Sequence, residues 1–379
     1  MKKNLLILAV AAVALASCSN DETIAVNQGG DNSISFNSYV SGMTRATSLQ
    51  TIDLNTEGFF VTATYTTDRG SAYFTDQQYK YNSAEGHERW EPWTGEAFKT
   101  IYWPNQTADV LDFHAYALDH SKRTQLNANT YGLAEENGCP RYVVIPDDDA
   151  ADQIDFVYAT LTGKDYQDNS MSLDFNHVES QVSVKLKNTE SGLLFTISEI
   201  AIFNIKGSGI YKNRDANPTT ATTMSWGDWG SGRNYSQTLG SEIVQDGISD
   251  AVNAGTSWIL IPQSLATPET PNEYASNDEG AAYEGAYIRV KMKVQSTANN
   301  AVYYAGDASN WAYAIWPISG AWTPGYHYTY TIDLSGGGYF EFNQNDNDAD
   351  IDRVLNLTPI TFATVSVSAW TTSNSDVAM

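Results

Sequence analysis

Residues 288–294 read Ile288-Arg289-Val290-Lys291-Met292-Lys293-Val294, with apolar and cationic side chains alternating at every step. Successive side chains of a β-strand leave opposite faces, so a period of two describes a strand with one face in a core and one in water. An amphipathic helix would instead repeat its apolar positions three and four apart. The same alternation recurs along the chain. Phe59, Val61, Ala63 and Tyr65 follow it, and Leu111, Phe113, Ala115 and Ala117 stand against Asp112, His114 and Tyr116. Val182, Val184 and Leu186 stand against Ser183, Lys185 and Lys187. Tyr326, Tyr328, Tyr330, Ile332 and Leu334 stand against His327, Thr329, Thr331 and Asp333. No convincing helical period extends over ten residues. Turn-forming clusters such as Gly227-Asp228-Trp229-Gly230 and Ser335-Gly336-Gly337-Gly338 separate the strands. Many short strands with turn signals between them predict an all-β chain of β-sandwiches.

The N-terminus is built differently. Lys2 and Lys3 precede an apolar run from Leu5 to Leu15, which Leu15-Ala16-Ser17-Cys18 closes with small residues. Charged start, apolar middle and small-residue end predict a secretory signal over residues 1–17. The run is too short to span a bilayer. A cysteine at position 18 matches a lipobox, in which the thiol takes a diacylglycerol and becomes the new N-terminus. Several acyl chains on one residue give stable anchoring where one would not. An ordinary cleaved signal with an incidental Cys18 is the alternative. Lipidation of Cys18 leaves Cys139 alone, so no disulfide framework supports the fold.

The 379 residues suggest about two domains, and 42% apolar residues can fill their cores. Without the two signal lysines, 19 Lys and Arg face 45 Asp and Glu. Clustered basic side chains are what nucleic acid binding needs, and none occur, so nucleic acid is not an expected partner. The acidity fits the solubility and mutual repulsion of an exported protein. Residues 19–33 are polar and Gly/Asn-rich and read as a tether. Ile34, Phe36 and Val40 mark a first strand, and polar Gly42 to Thr47 follow it. Gly163 to Ser170 is the expected linker, with the domain boundary near residue 168.

Patterns that would carry chemistry are weak. Asp346, Asp348, Asp350 and Asp352 alternate as in a calcium loop, but Ile351 and Leu357 occupy the positions that need Gly and Glu. Asp147-Asp148-Asp149 reads equally as a solvated loop. The five histidines lack the spacing of zinc ligands, and His114, His177 and His327 fall on strands. No Gly-x-Ser-x-Gly elbow or phosphate-cradling loop occurs. No catalytic residue, metal or cofactor is expected, and the chain does not read as an enzyme. Trp226, Trp229, Trp311 and Trp316 lie near Gly, Ser and Asn-rich stretches. Such rings stack on sugars when exposed and fill sandwich cores when buried, and both readings stay open.

Several residue groups in order resemble one family. Ile101-Tyr102-Trp103-Pro104, Leu111 to Ala117 and Ile154-Asp155-Phe156-Val157-Tyr158-Ala159 are similar to strands of the fimbrillin-like (Mfa-like) pilus proteins. Leu173-Asp174-Phe175-Asn176-His177, Trp322-Thr323-Pro324-Gly325-Tyr326 and a terminal strand ending at Trp370 continue the likeness over nearly the whole chain. The resemblance implies two tandem transthyretin-like β-sandwich domains, over residues 46–168 and 169–379. It implies export as an outer-membrane lipoprotein and cleavage by an arginine-specific protease in a Thr-Arg-Ala-like segment, here Arg45-Ala46. Residues 18–45 would then be a lipidated tether with a removable first strand. A neighbouring fimbrial subunit would fill the vacated groove with its terminal strand, here residues 360–370, with Ala363, Val365, Val367 and Ala369 on one face. Against this, Arg45 could be an ordinary loop residue, and the terminal strand could stay in its own domain, because alternation looks the same in both cases. Host or bacterial surface glycans or proteins are further expected partners, and a monomeric, anchored glycan-binding lipoprotein is the alternative function.

Overall fold

The computed structural model describes residues 33–40, 54, 58–104, 109–118, 131–168, 171–217, 222–265, 285–304, 311–336, 339–340 and 364–369. These form 21 strands in four sheets, in accord with the all-β expectation. In the first half the strands are β1 (Asn37–Val40), β2 (Phe59–Tyr65), β3 (Asp68–Asn82), β4 (Arg89–Pro92), β5 (Leu111–Leu118), β6 (Tyr131–Glu136), β7 (Cys139–Val144), β8 (Phe156–Lys164) and β9 (Ser172–His177). Then come β10 (Ser180–Asn188), β11 (Leu193–Lys206), β12 (Gly209–Asn213), β13 (Met224–Gly227), β14 (Gly232–Asp246) and β15 (Ser249–Leu260). The last are β16 (Tyr287–Ser296), β17 (Val302–Tyr304), β18 (Ala312–Pro317), β19 (Tyr326–Asp333), β20 (Tyr339–Phe340) and β21 (Thr364–Ala369).

A seven-stranded sheet has the order β1-β9-β8-β5-β2-β3-β4. One face of it holds Phe36, Phe59, Tyr79, Trp90, Phe113 and Phe175, all at most 2% exposed. Its other face carries Phe60, Tyr116, Phe156 and Tyr158, and there it meets the four-stranded sheet β13-β12-β7-β6. Tyr142 of β7 stacks on Phe156 at 4.3 Å, and Tyr211 of β12 meets Tyr158 edge-on at 5.9 Å. Because both faces are covered, all eight residues of β5 are buried, including Asp112 and His114. The one-sided burial expected for Leu111 to Ala117 is corrected here: the polar members of the alternation face a second sheet rather than water. Asn137-Gly138, both at positive φ, make the tight turn between β6 and β7. A Cβ at Gly138 would overlap Thr64, so the turn tolerates no larger residue there.

The second half holds a six-stranded sheet, β14-β11-β16-β18-β20 with β17 beside β16, and a four-stranded sheet, β15-β10-β19-β21. Their shared core contains Val182, Val184, Ile200, Val290, Trp316 and Tyr330. β16 alternates as read: Ile288, Val290, Met292 and Val294 are buried, while Arg289, Lys291 and Lys293 are half-buried on the outer face. That outer face is not bare. Arg289 lies 4.4 Å from the rings of both Phe203 and Tyr313 and bonds Glu199 Oε1 at 3.0 Å, while Lys293 sits 4.1 Å from the Trp311 ring.

Two features differ from a simple tandem. Residue 168 falls between β8 and β9, which pair with each other, and the change of sheet comes at Val178–Glu179. Leu173 and Phe175, both at 0% exposure, are needed in the first core, and this places β9 with the first half. Strands β12 and β13, late in sequence, also complete the first half's smaller sheet. At the changeover, burial and the neighbouring Asp155 push the Glu179 carboxyl well up.

Candidate functional site

The segment from Ser33 to Val40 closes the large sheet on itself. On one side β1 runs parallel to β9, from Asn37 opposite Ser172 to Val40 opposite Phe175. On the other, Phe36 and Trp90 of β4 exchange backbone hydrogen bonds of 3.2 and 3.0 Å. The Ile34 N–H donates to Ile101 O at 2.8 Å, and the Asn37 N–H to Met171 O at 2.7 Å. Without this segment β9 and β4 would be open edges, with unpaired donors and acceptors facing each other across a gap. Ile34 and Phe36 point inward. Ile34 is fully buried, and the Phe36 ring lies 5.0 Å from Tyr79, 5.3 Å from Phe113 and 6.3 Å from Phe59. Removing the segment therefore opens both a backbone ladder and an aromatic hole.

Cys18, Arg45 and Ala46 lie outside the described residues, as do Ala363 and Trp370. The described chain leaves β1 at Val40 and resumes at Leu54 and Gly58, so the Arg45-Ala46 bond lies on the stretch that joins β1 covalently to β2 and the rest of the fold. Val365, Val367 and Ala369 lie in β21, the edge strand of the second half's smaller sheet, opposite Tyr330, Tyr328 and Tyr326 of β19. The fold thus places the two expected assembly segments at sheet edges in different halves. The sequence marked both segments. It held no sign that the first is gripped from two sides, because the partner residues Trp90 and Ile101 are far along the chain.

The fold also assembles buried polar groups that the sequence reading did not group. The Cys139 Sγ lies 3.6 Å from His114 Nε2, and His114 Nδ1 lies 2.7 Å from the Tyr158 hydroxyl. A cysteine beside a histidine can form a nucleophilic pair, but only if the thiolate is favoured. Here burial pushes the thiol up to about 11 and the imidazole down to about 4, so both stay neutral and the contact is packing. This carries a pH consequence. The unfolded histidine takes a proton near 6.5, which the folded one refuses until about 4. Stability is then fully present above about pH 6.5 and declines as pH falls toward about 4. Urea melts at pH 7, 5.5 and 4 should show this decline, and His114→Gln should flatten part of it. His327, also held down to about 4, contributes another part. An equal slope in the variant would contradict the assignment. Among the described residues, no cluster of metal-ligating side chains occurs.

The four tryptophans separate. Trp316 is in the core at 1% exposure and Trp311 lies under Lys293, whereas Trp226 and Trp229 stack at 6.2 Å beside a cleft between the halves.

The described residues thus form an all-β protein whose large sheet is closed by its own first strand. The family model described as fimbrillin-like matches residues 44–352, and the chain belongs to that family. Membership carries a fimbrial or adhesive role at the cell surface. Among solved structures, a fimbrial protein from Bacteroides vulgatus ATCC 8482 is similar in fold, at 12% identity and a TM-score of 0.50 over 89% of this chain and 99% of that one. A candidate cell adhesion protein from Bacteroides uniformis ATCC 8492 matches at 14% identity and a TM-score of 0.42, over 91% of this chain and 100% of that one. No curated protein matches the chain in sequence.

Proposed function

We propose that the protein is exported as a lipoprotein on Cys18, cut after Arg45, and built into a surface fimbria by strand exchange. The observation that carries this reading is the seat of residues 33–40, held on both edges by hydrogen bonds and filled inside by Ile34 and Phe36. After a cut between Val40 and Leu54, only non-covalent contacts would keep that strand in place. An incoming strand that restores the ladder gains affinity from the backbone and register from its alternate side chains. The chain carries the inserted pattern twice, as Ile34-Ser35-Phe36 and as Ile360-Thr361-Phe362. A tail entering in the direction of β1 would put Ile360 and Phe362 in the seats of Ile34 and Phe36. Ala363 and Val365 would then take the places of Asn37 and Tyr39, and Val367 and Ala369 continue the same face of the strand. For this the tail must leave β19, its neighbour in the isolated chain. Because one subunit's tail fills the next one's groove, the contact is head-to-tail and grows an open filament.

Digestion of the purified precursor with an arginine-specific protease tests the reading. Mass spectrometry should find a cut after Arg45, and size-exclusion chromatography should then show a ladder of oligomers. A chain that is cut there and remains entirely monomeric would count against strand exchange.

A further inference from the structure

A cleft of about 770 Å³ lies where the two halves meet. It is lined by Tyr158 and Asn176 of the large sheet, Tyr211 and Trp226 of β12 and β13, and Gln263 and Trp322 of the second half. Trp229 stands at the rim, 40% exposed. A large ring left in water on a mobile loop needs no explanation, but this one is fixed. The Gly230 N–H donates to Ser208 O and the Gly207 N–H to Ser231 O, both at 3.0 Å. Asp228, at positive φ, is held by Arg214 Nη1 at 2.9 Å. Gly209 leaves room for the indole: a Cβ there would come within 3.0 Å of Cε3 and Cζ3 of Trp229. Beneath it, the Trp226 indole N–H donates to Val178 O at 2.6 Å, and its ring lies only 14° from parallel to that of Trp229. The loop thus presents a preorganised aromatic plane, which lowers the ordering cost of binding a flat apolar face.

The rest of the lining sets the ligand class. Among the described residues no lysine or arginine lines the cleft, and the lining His177 is already engaged by Asp155 at 2.9 Å, so this lining does not select an anionic sugar. Asp174, Asn176, Ser225 and Ser264 offer carboxylate, amide and hydroxyl groups beside the rings. Apolar planes next to a carboxylate, an amide and hydroxyls match a pyranose, whose C–H face is apolar and whose rim is hydroxyl. We infer that this cleft is a binding site for a neutral oligosaccharide, with Trp229 as the stacking platform. The inference does not depend on strand exchange.

The test is titration of the full-length protein with cellohexaose, laminarihexaose, mannohexaose and chitohexaose, followed by tryptophan fluorescence. Sialyllactose and a proline-rich decapeptide serve as the charged and peptide probes. At least one neutral hexasaccharide should saturate the signal, and Trp229→Ala should weaken it about tenfold while Trp229→Phe retains most of the affinity. Thermal melts check that the variants remain folded, and Asn176→Ala gives a second loss without touching a ring. Three results would each overturn the assignment: saturation by none of the four, preferential binding of the sialyl or peptide probe, or undiminished affinity in the folded Trp229→Ala protein.

Discussion

Phe36→Ala should lower the stability of the first half by about 3–5 kcal/mol, the cost of emptying a large aromatic site in a packed core. The ring touches Tyr79, Phe113 and Phe59, which come from three other strands, so no single movement can refill the hole. Because β1 also links β9 to β4, the loss should spread to both edges as faster amide exchange. Denaturant melts should show the first half's transition shifted and the second half's little changed. Phe36→Leu, which keeps most of the volume, should cost much less. A near-neutral Phe36→Ala would mean that the segment merely lies on the sheet, and the idea of a filled groove would fail with it.

Asp112→Ala should cost a similar amount, about 3–5 kcal/mol, through a different mechanism: it strands a buried cation. Arg69 Nε and Nη2 lie 2.7 and 2.6 Å from Asp112 Oδ2, and the two side chains are 7% and 0% exposed. The other carboxylate oxygen accepts from the Gly163 N–H at 2.8 Å and from the Thr66 hydroxyl at 3.3 Å. Replacing both charges at once, Arg69→Met with Asp112→Leu, should recover much of the loss, since it removes the uncompensated charge. Recovery should be partial, because the Gly163 N–H still loses its acceptor. Equilibrium urea unfolding of Arg69→Met, Asp112→Leu and the double variant reads this directly. Additive losses would show that the pair is not coupled.

These residues also show where the sequence was legible. The alternation at Ile288 to Val294 predicted β16 residue by residue, because one of its faces is solvated and polar side chains mark it. The same reading of β5 succeeded for the strand and failed for its surroundings. Asp112 and His114 look like a solvent face until the fold brings Arg69, Cys139 and Tyr158 to them from 43, 25 and 44 residues away. Long-range pairing leaves no local pattern to read. The expected linker shows the same limit. Gly163 to Ser170 has the composition of a linker, yet it only connects two neighbouring strands of one sheet. The Trp226–Trp229 platform was half legible. The composition around it marked both rings, but only the contacts with Gly209 and Val178 separate them from the core residue Trp316.

In the proposed filament, the groove occupied by residues 33–40 in one subunit receives the tail of the next. A chain ending at Pro359 separates the two roles, since it keeps the groove and lacks the donor. After cleavage at Arg45 it should remain monomeric alone. Mixed with cleaved full-length protein, it should accept one tail and end each ladder, shortening the oligomers in proportion to the amount added. If the truncated chain forms ladders as long as those of the full-length protein, the tail is not the donor and the account of assembly is wrong.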